Sequence, residues 1–542
     1  MLGLMQDWPL LVHTILDHAA SYHGNREIVT RTTEGPISRT TYQDLDKRAR
    51  ALAHALQKLG VKQGDVLGVM AWNTARHMEL WYGAMGIGAV AHTLNPRLFA
   101  DQLAYIINHA QDSYVFLDLT FVPILEGLQD MIETSKGFVI MTDQGHMPET
   151  SLENVICYEE LLAKGDSSFQ WLALDENTAC GLCYTSGTTG NPKGVLYSHR
   201  SNVLHALATV AADALAITSS DCVLPVVPMF HANCWSLVYS VPMAGAKLVM
   251  PGGKLDGESV FELLDKEQVT LTAGVPTVWF ALLQYLEETG NKLPYLERIV
   301  IGGAACPPSM LEAFENKYDT QVIHAWGMTE MSPLGSLCKP VPDIEHLDEA
   351  AKAKIMIKQG RPPYMVEMKV VDDEGGELPH DGETFGHLMV RGPAVAEAYM
   401  RDEGGDILDP DGWFDTSDVA TMDQYGYMEI TDRSKDVIKS GGEWISSIEL
   451  ENLAVGHPDV AEAAVIGITH PKWNERPLLV IVKAENADPS KQSIMDFMTG
   501  KTAKWWLPDD VVFVDEIPHT ATGKILKTKL REQFGDYKLP DA

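Results

Sequence analysis

Residues 41–60, TYQDLDKRARALAHALQKLG, are followed closely by VLGVMAW, and this pairing constrains the architecture most. Leu45, Ala49, Leu52, Ala53, Leu56 and Leu59 recur at helical spacing, and Gly60 can end the helix. A turn over Lys62–Asp65 leads into VLGVMAW, a short apolar strand, and a second helical pattern covers His77–Gly86. The alternation returns at 264–275 (LDKEQ, then VTLTAGV) and at 296–304 (LERIVIGGA). Strands alternating with helical runs predict an α/β protein with largely parallel sheets. Chemistry in such folds belongs to loops at strand ends. Three loops of suitable composition follow apolar runs: TSGTTG after CGLCY, GGAA after ERIVI, and WGMTE after TQVIHA.

The chain has 542 residues, enough for roughly three or four domain-sized units. Beyond about residue 400 the texture changes: RDEGGDILDPDGWFDTSD is rich in Gly, Asp and Pro, as a surface crossing would be. Strand-like AEAAVIGI (461–468) and PLLVIVKA (477–484), a helix-like segment (490–500) and DVVFVDEI follow. The expected plan is a large body of sheets flanked by helices over 1–432, a joint at 433–435, and a small mobile α+β domain over 436–542.

Asp and Glu number 75 against 42 Lys and Arg, a net charge of −33. That surface repels nucleic acid and anionic membrane, so any polyanion site must gather positive charge locally. The apolar run 222–246 is long enough for a bilayer, but Pro225, Pro228 and Pro242 break it and His231 and Asn233 lie near its middle. It reads as a buried, broken segment, and no membrane span is expected. The N-terminus lacks a basic stretch and a small-residue cleavage site, so no secretory signal is expected. Of seven cysteines, Cys180 and Cys183 form a C-x-x-C with no second pair to complete a zinc set. On a regular strand, residues three apart face opposite ways and cannot bridge, so these thiols read as structural, in a reducing cytoplasm.

YTSGTTGNPKG, Tyr184–Gly194, offers Thr185, Ser186, Gly187, Thr188, Thr189, Gly190 and Lys193. Hydroxyls, backbone N–H groups and one cation suit a polyanion, although such loops are often plain turns. It does not fit G-x-x-x-x-G-K-[ST], because Gly194 follows Lys193. With it, in order, come GGAA (302–305), HAWGMTE (324–330), TSD (416–418), DRSKDVIKSGGEWIS (432–446) and TATGKILK (520–527). Together these motifs resemble the ATP-dependent adenylate-forming superfamily of acyl-CoA synthetases, luciferases and peptide-synthetase adenylation domains, across essentially the whole chain.

The resemblance implies a reaction in two halves, in which a carboxylate attacks the α-phosphate of ATP and a thiol, here CoA, then displaces AMP. It implies Mg2+ on Thr185 and Glu330, and catalytic roles for Lys524, Glu330 and His231. Adenine would stack on Gly303, Ala304 and Ala305, opposite His324, Ala325, Trp326, Gly327, Met328 and Thr329. Asp418 and Arg433 would take the ribose or phosphate, Lys435 would be the hinge, and Lys439 would also lie on the nucleotide side. Lys527 and Lys529 read as surface lysines. Gly441, Gly442, Trp444 and Arg476 would serve CoA, with Trp473 beside Arg476. His231, Trp235, Gly302, Gly303 and Pro333 would line the acyl pocket. Family members often pair as homodimers.

MLGLMQDWPLLVHTILDHAA and VVPMFHANCWSLVYS are closest to bacterial medium-chain acyl-CoA ligases. The apolar, methionine-rich surroundings and the bulk of Trp235 favour a short acid with an apolar or thioether tail, and a resemblance within that group to ligases of 3-methylmercaptopropionate implies 3-(methylthio)propanoate as the acid. A medium-chain fatty acid and the loading of a separate carrier protein stand as alternatives.

Overall fold

The computed structural model describes residues 1, 3–185, 191–440, 443–484, 487–519 and 525–540. The first long helix is Tyr42–Lys58. Thr41 Oγ1 accepts the Asp44 N–H at 3.2 Å, and the Asp44 carboxylate accepts the Thr41 N–H in return, a reciprocal cap that fixes the start. The chain leaves the helix through Gly60 at φ +95°, where a side chain would be strained. The next helix, Ala75–Met85, begins with Thr74 Oγ1 accepting the His77 N–H. It is buried on nearly every side, and its residues share one core with strands of two different sheets.

Those sheets lie in a unit made of residues 1–367 and 391–414. One sheet orders its strands Val155–Cys157, Phe138–Ile140, Asp112–Leu117, Val66–Met70, Val90–Thr93, Ala179–Tyr184 and Gly194–Ser198. Every pair is parallel except the last, a hairpin in which Tyr184 faces Gly194. The other sheet runs Leu334–Leu337, Gln321–Gly327, Arg298–Ile301, Leu271–Gly274, Cys222–Pro225, Lys247–Met250, Glu27–Arg31 and Ile37–Thr41. It is parallel inside with an antiparallel strand at each edge. Parallel strands need covering on both faces, which explains their continuous apolar runs.

The run 222–246 is a strand, Cys222–Pro225, a tight turn, Ala232–Ser236, and a helix, Leu237–Ala244, with Pro242 inside it. Among the described residues no helix is long and apolar enough to cross a membrane.

The second unit comprises residues 368–390 and 415–542, so residues 433–435 lie within it. Its four-stranded sheet orders Glu367–Val371, Gly386–Arg391, Phe414–Met422 and Met428–Arg433, the outermost residues marking the crossings between units. A five-stranded sheet follows, built from Ile438–Ser440, Glu443–Ile445, Val460–His470, Asn474–Lys483 and Asp510–Val514. The expected helix at 490–500 is Lys491–Met498, started by Ser490.

Lys527 corrects the sequence reading, because it is buried. Its Nζ lies 2.7 Å from Glu451 Oε1 and donates to Ser447 Oγ at 2.5 Å. Asp432 Oδ2 in turn accepts the Ser447 N–H at 2.5 Å and its hydroxyl at 2.6 Å. Burial pushes the carboxyls of Asp432 and Glu451 up, and Lys527 opposes that rise. A group whose pKa is raised in the folded chain gives stability at low pH that is lost as pH climbs. Lys527→Met removes the opposing charge, so the second unit should lose about 3–5 kcal/mol at pH 7 and visibly less at about pH 5. Amide hydrogen exchange of the full chain at both pH values reads this, and an equal loss at both would contradict it.

Candidate active site

The nucleotide-type loop spans a hairpin. The strands Ala179–Tyr184 and Gly194–Ser198 meet at its base, where the Thr185 N–H donates to Lys193 O at 2.9 Å. The Lys193 N–H donates to Thr185 Oγ1 at 3.4 Å, so the two ends of the loop hold each other. Ser186, Gly187, Thr188, Thr189 and Gly190 lie outside the described residues. A Cβ at Gly194 would be a tight fit, 3.1 Å from the Tyr184 ring and 3.2 Å from Met400.

Lys193 places its ammonium 4.9 Å from the centre of the Tyr399 ring, and the Tyr399 hydroxyl donates to Glu330 Oε1 at 2.6 Å. Burial first, and the Glu330 charge second, push the phenol pKa up and keep it a donor. Glu330 is itself buried, its backbone carbonyl taking the Ala396 N–H at 2.7 Å. Tyr197 donates to the neighbouring Thr329 O at 2.7 Å. Lys193 and Glu330, far apart in sequence, thus converge through Tyr399. Sequence reading missed Tyr399 because AEAYMRDEGG carries no local mark of function. Carboxylate and threonine oxygens are hard donors, which suit Mg2+.

Two parallel strand ends supply the next surface, with Ile301 registered beside His324. Beyond them Gly303, Ala304, Ala305 and Gly327 are exposed, while Trp326, Met328 and Thr329 are half-buried. Gly303 sits at φ +77°, and a Cβ on Gly327 would fall 2.2 Å from Pro333 O. His324 faces inward at 1% exposure. Its Nδ1 pairs with Ile357 O at 2.8 Å, so that nitrogen carries the proton, and Nε2 accepts the Cys306 N–H at 3.3 Å. Burial lowers its pKa, consistent with a neutral ring that pins the 302–306 loop. Ala325 is buried beside it.

Trp235 lies against this loop: a Cβ on Gly302 would be 3.2 Å from its ring tip and one on Gly303 3.8 Å away. Its backbone is unusual. Ala232, Asn233, Cys234, Trp235 and Ser236 all have positive φ, from 40° to 68°. Left-handed backbone costs roughly 1–2 kcal/mol for each residue other than glycine, less for asparagine. His231, half-buried, begins the turn, its N–H donating to Pro228 O at 3.0 Å. Asn73 steadies the approach by donating to Pro225 O (2.8 Å) and Val227 O (2.9 Å) and accepting the Met229 N–H (2.6 Å).

In the second unit Arg433 Nε lies 2.7 Å from Asp418 Oδ1, the two facing each other across adjacent strands. Asp418 is buried and Arg433 half-buried. Lys439 stands over the Trp444 ring at 5.0 Å, and Trp444 also meets Phe385 and His387. Lys435 is exposed. The Arg476 guanidinium is held by Asp509, Ser440 and the carbonyls of Trp505 and Leu507. Gly441, Gly442 and Lys524 lie outside the described residues.

All seven cysteines are free and buried. The strand carrying Cys180 and Cys183 has an irregularity between Ala179 and Gly181, so strict alternation of faces does not hold there. Each sulfur nonetheless has its own partner, Asn202 Nδ2 at 3.2 Å for Cys180 and Thr93 Oγ1 at 3.0 Å for Cys183.

Residues 16–400 match the model of the AMP-binding enzyme family, and residues 449–524 match the AMP-binding enzyme C-terminal domain. The chain belongs to the AMP-binding enzyme family. It is 53% identical over 536 residues to 3-methylmercaptopropionyl-CoA ligase of Ruegeria lacuscaerulensis, covering 99% of both chains, and 51% identical to the protein of that name in Ruegeria pomeroyi, with the same coverage. A medium-chain-fatty-acid–CoA ligase of Ectopseudomonas oleovorans is 48% identical over 539 residues, 99% of this chain and 98% of that one. A solved anthranilate CoA ligase holding anthranoyl-AMP shares the fold, with a TM-score of 0.83 at 24% identity over 98% of this chain and 99% of that one.

Tyr399→Phe removes the hydroxyl that donates to Glu330 Oε1 in a buried setting. The expected cost is about 1–3 kcal/mol, seen as a lower urea midpoint with an unchanged slope. An unaltered midpoint would mean that the hydroxyl does not support Glu330.

Proposed function

We propose that this chain is an ATP-dependent acyl-CoA ligase whose acid is 3-(methylthio)propanoate. It would join the acid, ATP and CoA into acyl-CoA, AMP and diphosphate by way of an acyl-adenylate. The observation that carries the reading is identity above 50% with two 3-methylmercaptopropionyl-CoA ligases along 99% of each chain.

The assignment of roles follows the chemistry of each side chain. Adenylation brings a carboxylate to a polyphosphate, so the repulsion between them has to be offset. The loop 185–193, with Lys193 at its end, is assigned to the departing diphosphate. Thr185 and Glu330 would hold Mg2+, which when bound supplies positive charge to the phosphates. Lys524 is assigned to the carboxylate and α-phosphate oxygens. Gly303, Ala304 and Ala305 are open enough for adenine, while His324 keeps their loop in place. Asp418 is assigned to the ribose hydroxyls, with its carboxylate aimed by Arg433. Lys435 is the hinge between half-reactions, and Lys439, Gly441, Gly442 and Trp444 belong to the second, CoA-using half. Arg476, fully engaged within its own sheet, is assigned to bracing that region.

For the acid, His231, Trp235, Gly302, Gly303 and Pro333 form the proposed pocket. A bulky ring against a glycine pair would restrict the acid to a short tail, and apolar neighbours would suit a methylthio group better than a charged one. A medium-chain fatty acid is the second reading, favoured by the 48% identical relative. The protein would act in the cytoplasm, in keeping with seven free cysteines, and as a homodimer.

ATP–diphosphate exchange across 3-(methylthio)propanoate, butanoate, hexanoate and octanoate, then CoA-dependent AMP release, tests the reading. The highest kcat/KM is expected for the thioether acid, and an optimum at octanoate would overturn it in favour of the second reading. Lys524→Ala should cut adenylation about a hundredfold or more while leaving thioester formation from supplied acyl-adenylate within about threefold. Equal losses in both halves would remove Lys524 from its role.

A further inference from the structure

A turn of five consecutive residues in left-handed backbone does not hold itself. Of Ala232, Asn233, Cys234, Trp235 and Ser236, only asparagine tolerates that region well, so neighbours must fix the others. The restraints come from the C-x-x-C strand. Burial pushes the Cys183 thiol up, while Thr93 Oγ1, 3.0 Å from its sulfur, and the backbone of Asn233 and Ala232 oppose that rise. The Asn233 side chain donates to Asn202 Oδ1 at 3.2 Å, and Asn202 donates to Cys180 Sγ at 3.2 Å. Asn202 and Asn233 are each 1% exposed, so water does not compete for these bonds. The far end of the turn is tied by Cys234 Sγ to Val227 O at 3.2 Å.

We propose that Asn202, Cys180 and Cys183 are a latch that holds this turn, and through it holds the Trp235 ring on Gly302 and Gly303, thereby setting which acids the enzyme accepts. They are positioning residues and touch no substrate. The inference rests on the acyl-pocket assignment made above. It also gives the paired cysteines a purpose that is neither redox nor metal chemistry: Cys180 accepts from the asparagine that holds the turn, and Cys183 lies beside the turn's first two residues. The latch strand ends at Tyr184, directly before Thr185, so one strand supports both the nucleotide loop and the acid wall.

The test compares kcat/KM for octanoate with that for 3-(methylthio)propanoate, alongside KM for ATP. A methylene in an apolar pocket is worth about 10-fold or more in selectivity, so releasing the wall should raise the octanoate ratio by about 10-fold. That rise is expected in Asn202→Ala and Cys183→Ala, with KM for ATP within about twofold of the parent. Cys183→Ser keeps an acceptor and should keep the parent ratio, a rescue that a merely destabilised fold would not show. If Asn202→Ala does not fold, the two Cys183 variants decide. Trp235→Ala separates the two layers of inference. A ratio unmoved by Trp235→Ala overturns the acyl-pocket assignment and the latch with it. A ratio moved by Trp235→Ala but unmoved by Asn202→Ala and Cys183→Ala overturns the latch alone.

Discussion

The pairing of one strand, Ala179–Tyr184, organises much of the first unit. On one side it lies parallel to Val90–Thr93, in the interior of a sheet. On the other it turns back on itself as a hairpin with Gly194–Ser198. Backbone hydrogen bonds on both edges leave it little freedom, and the paired Thr185 and Lys193 extend that order to the base of the loop. A glycine-rich sequence meant for a polyanion gains from such a base, because ordering a chain costs conformational entropy at every residue.

Electrostatics in the first unit are arranged around the same place. The protein as a whole is strongly acidic, yet Lys193 stands on the Tyr399 ring, and that ring's hydroxyl engages Glu330. A cation and a carboxylate are thereby kept near one aromatic side chain. In the second unit the opposite device appears. Asp418 and Arg433 pair directly, and Lys527 stabilises buried carboxylates through Glu451 and Ser447. The first arrangement gathers a cation and a carboxylate at one aromatic side chain, whereas the second uses charge to fasten a helix to its neighbours.

Much of the fold was legible in the sequence. Helical spacing located Tyr42–Lys58 and the neighbouring strand, and short apolar runs located the parallel strands, because burial on both faces writes itself as continuous hydrophobicity. The prolines in 222–246 correctly argued for a broken, buried segment. The turn that breaks it could not be foreseen, since five left-handed residues in HANCWS contradict local preference and depend on Asn202, Cys183 and Asn73 from other elements. Lys527 was misjudged for the same reason: a lysine among lysines looks exposed until the partners that bury it are known.

The sequence by itself determined the class of fold, the order of the motifs and the kind of chemistry they serve, because those depend on periodicity and on residue types at fixed spacing. Tertiary structure alone decided that Tyr399 joins Lys193 to Glu330, that His324 turns inward to hold a loop, and that Asn202 ties Cys180 to a strained turn. Each of these joins residues tens to hundreds of positions apart, and no local pattern encodes which distant side chains folding will bring within hydrogen-bonding distance.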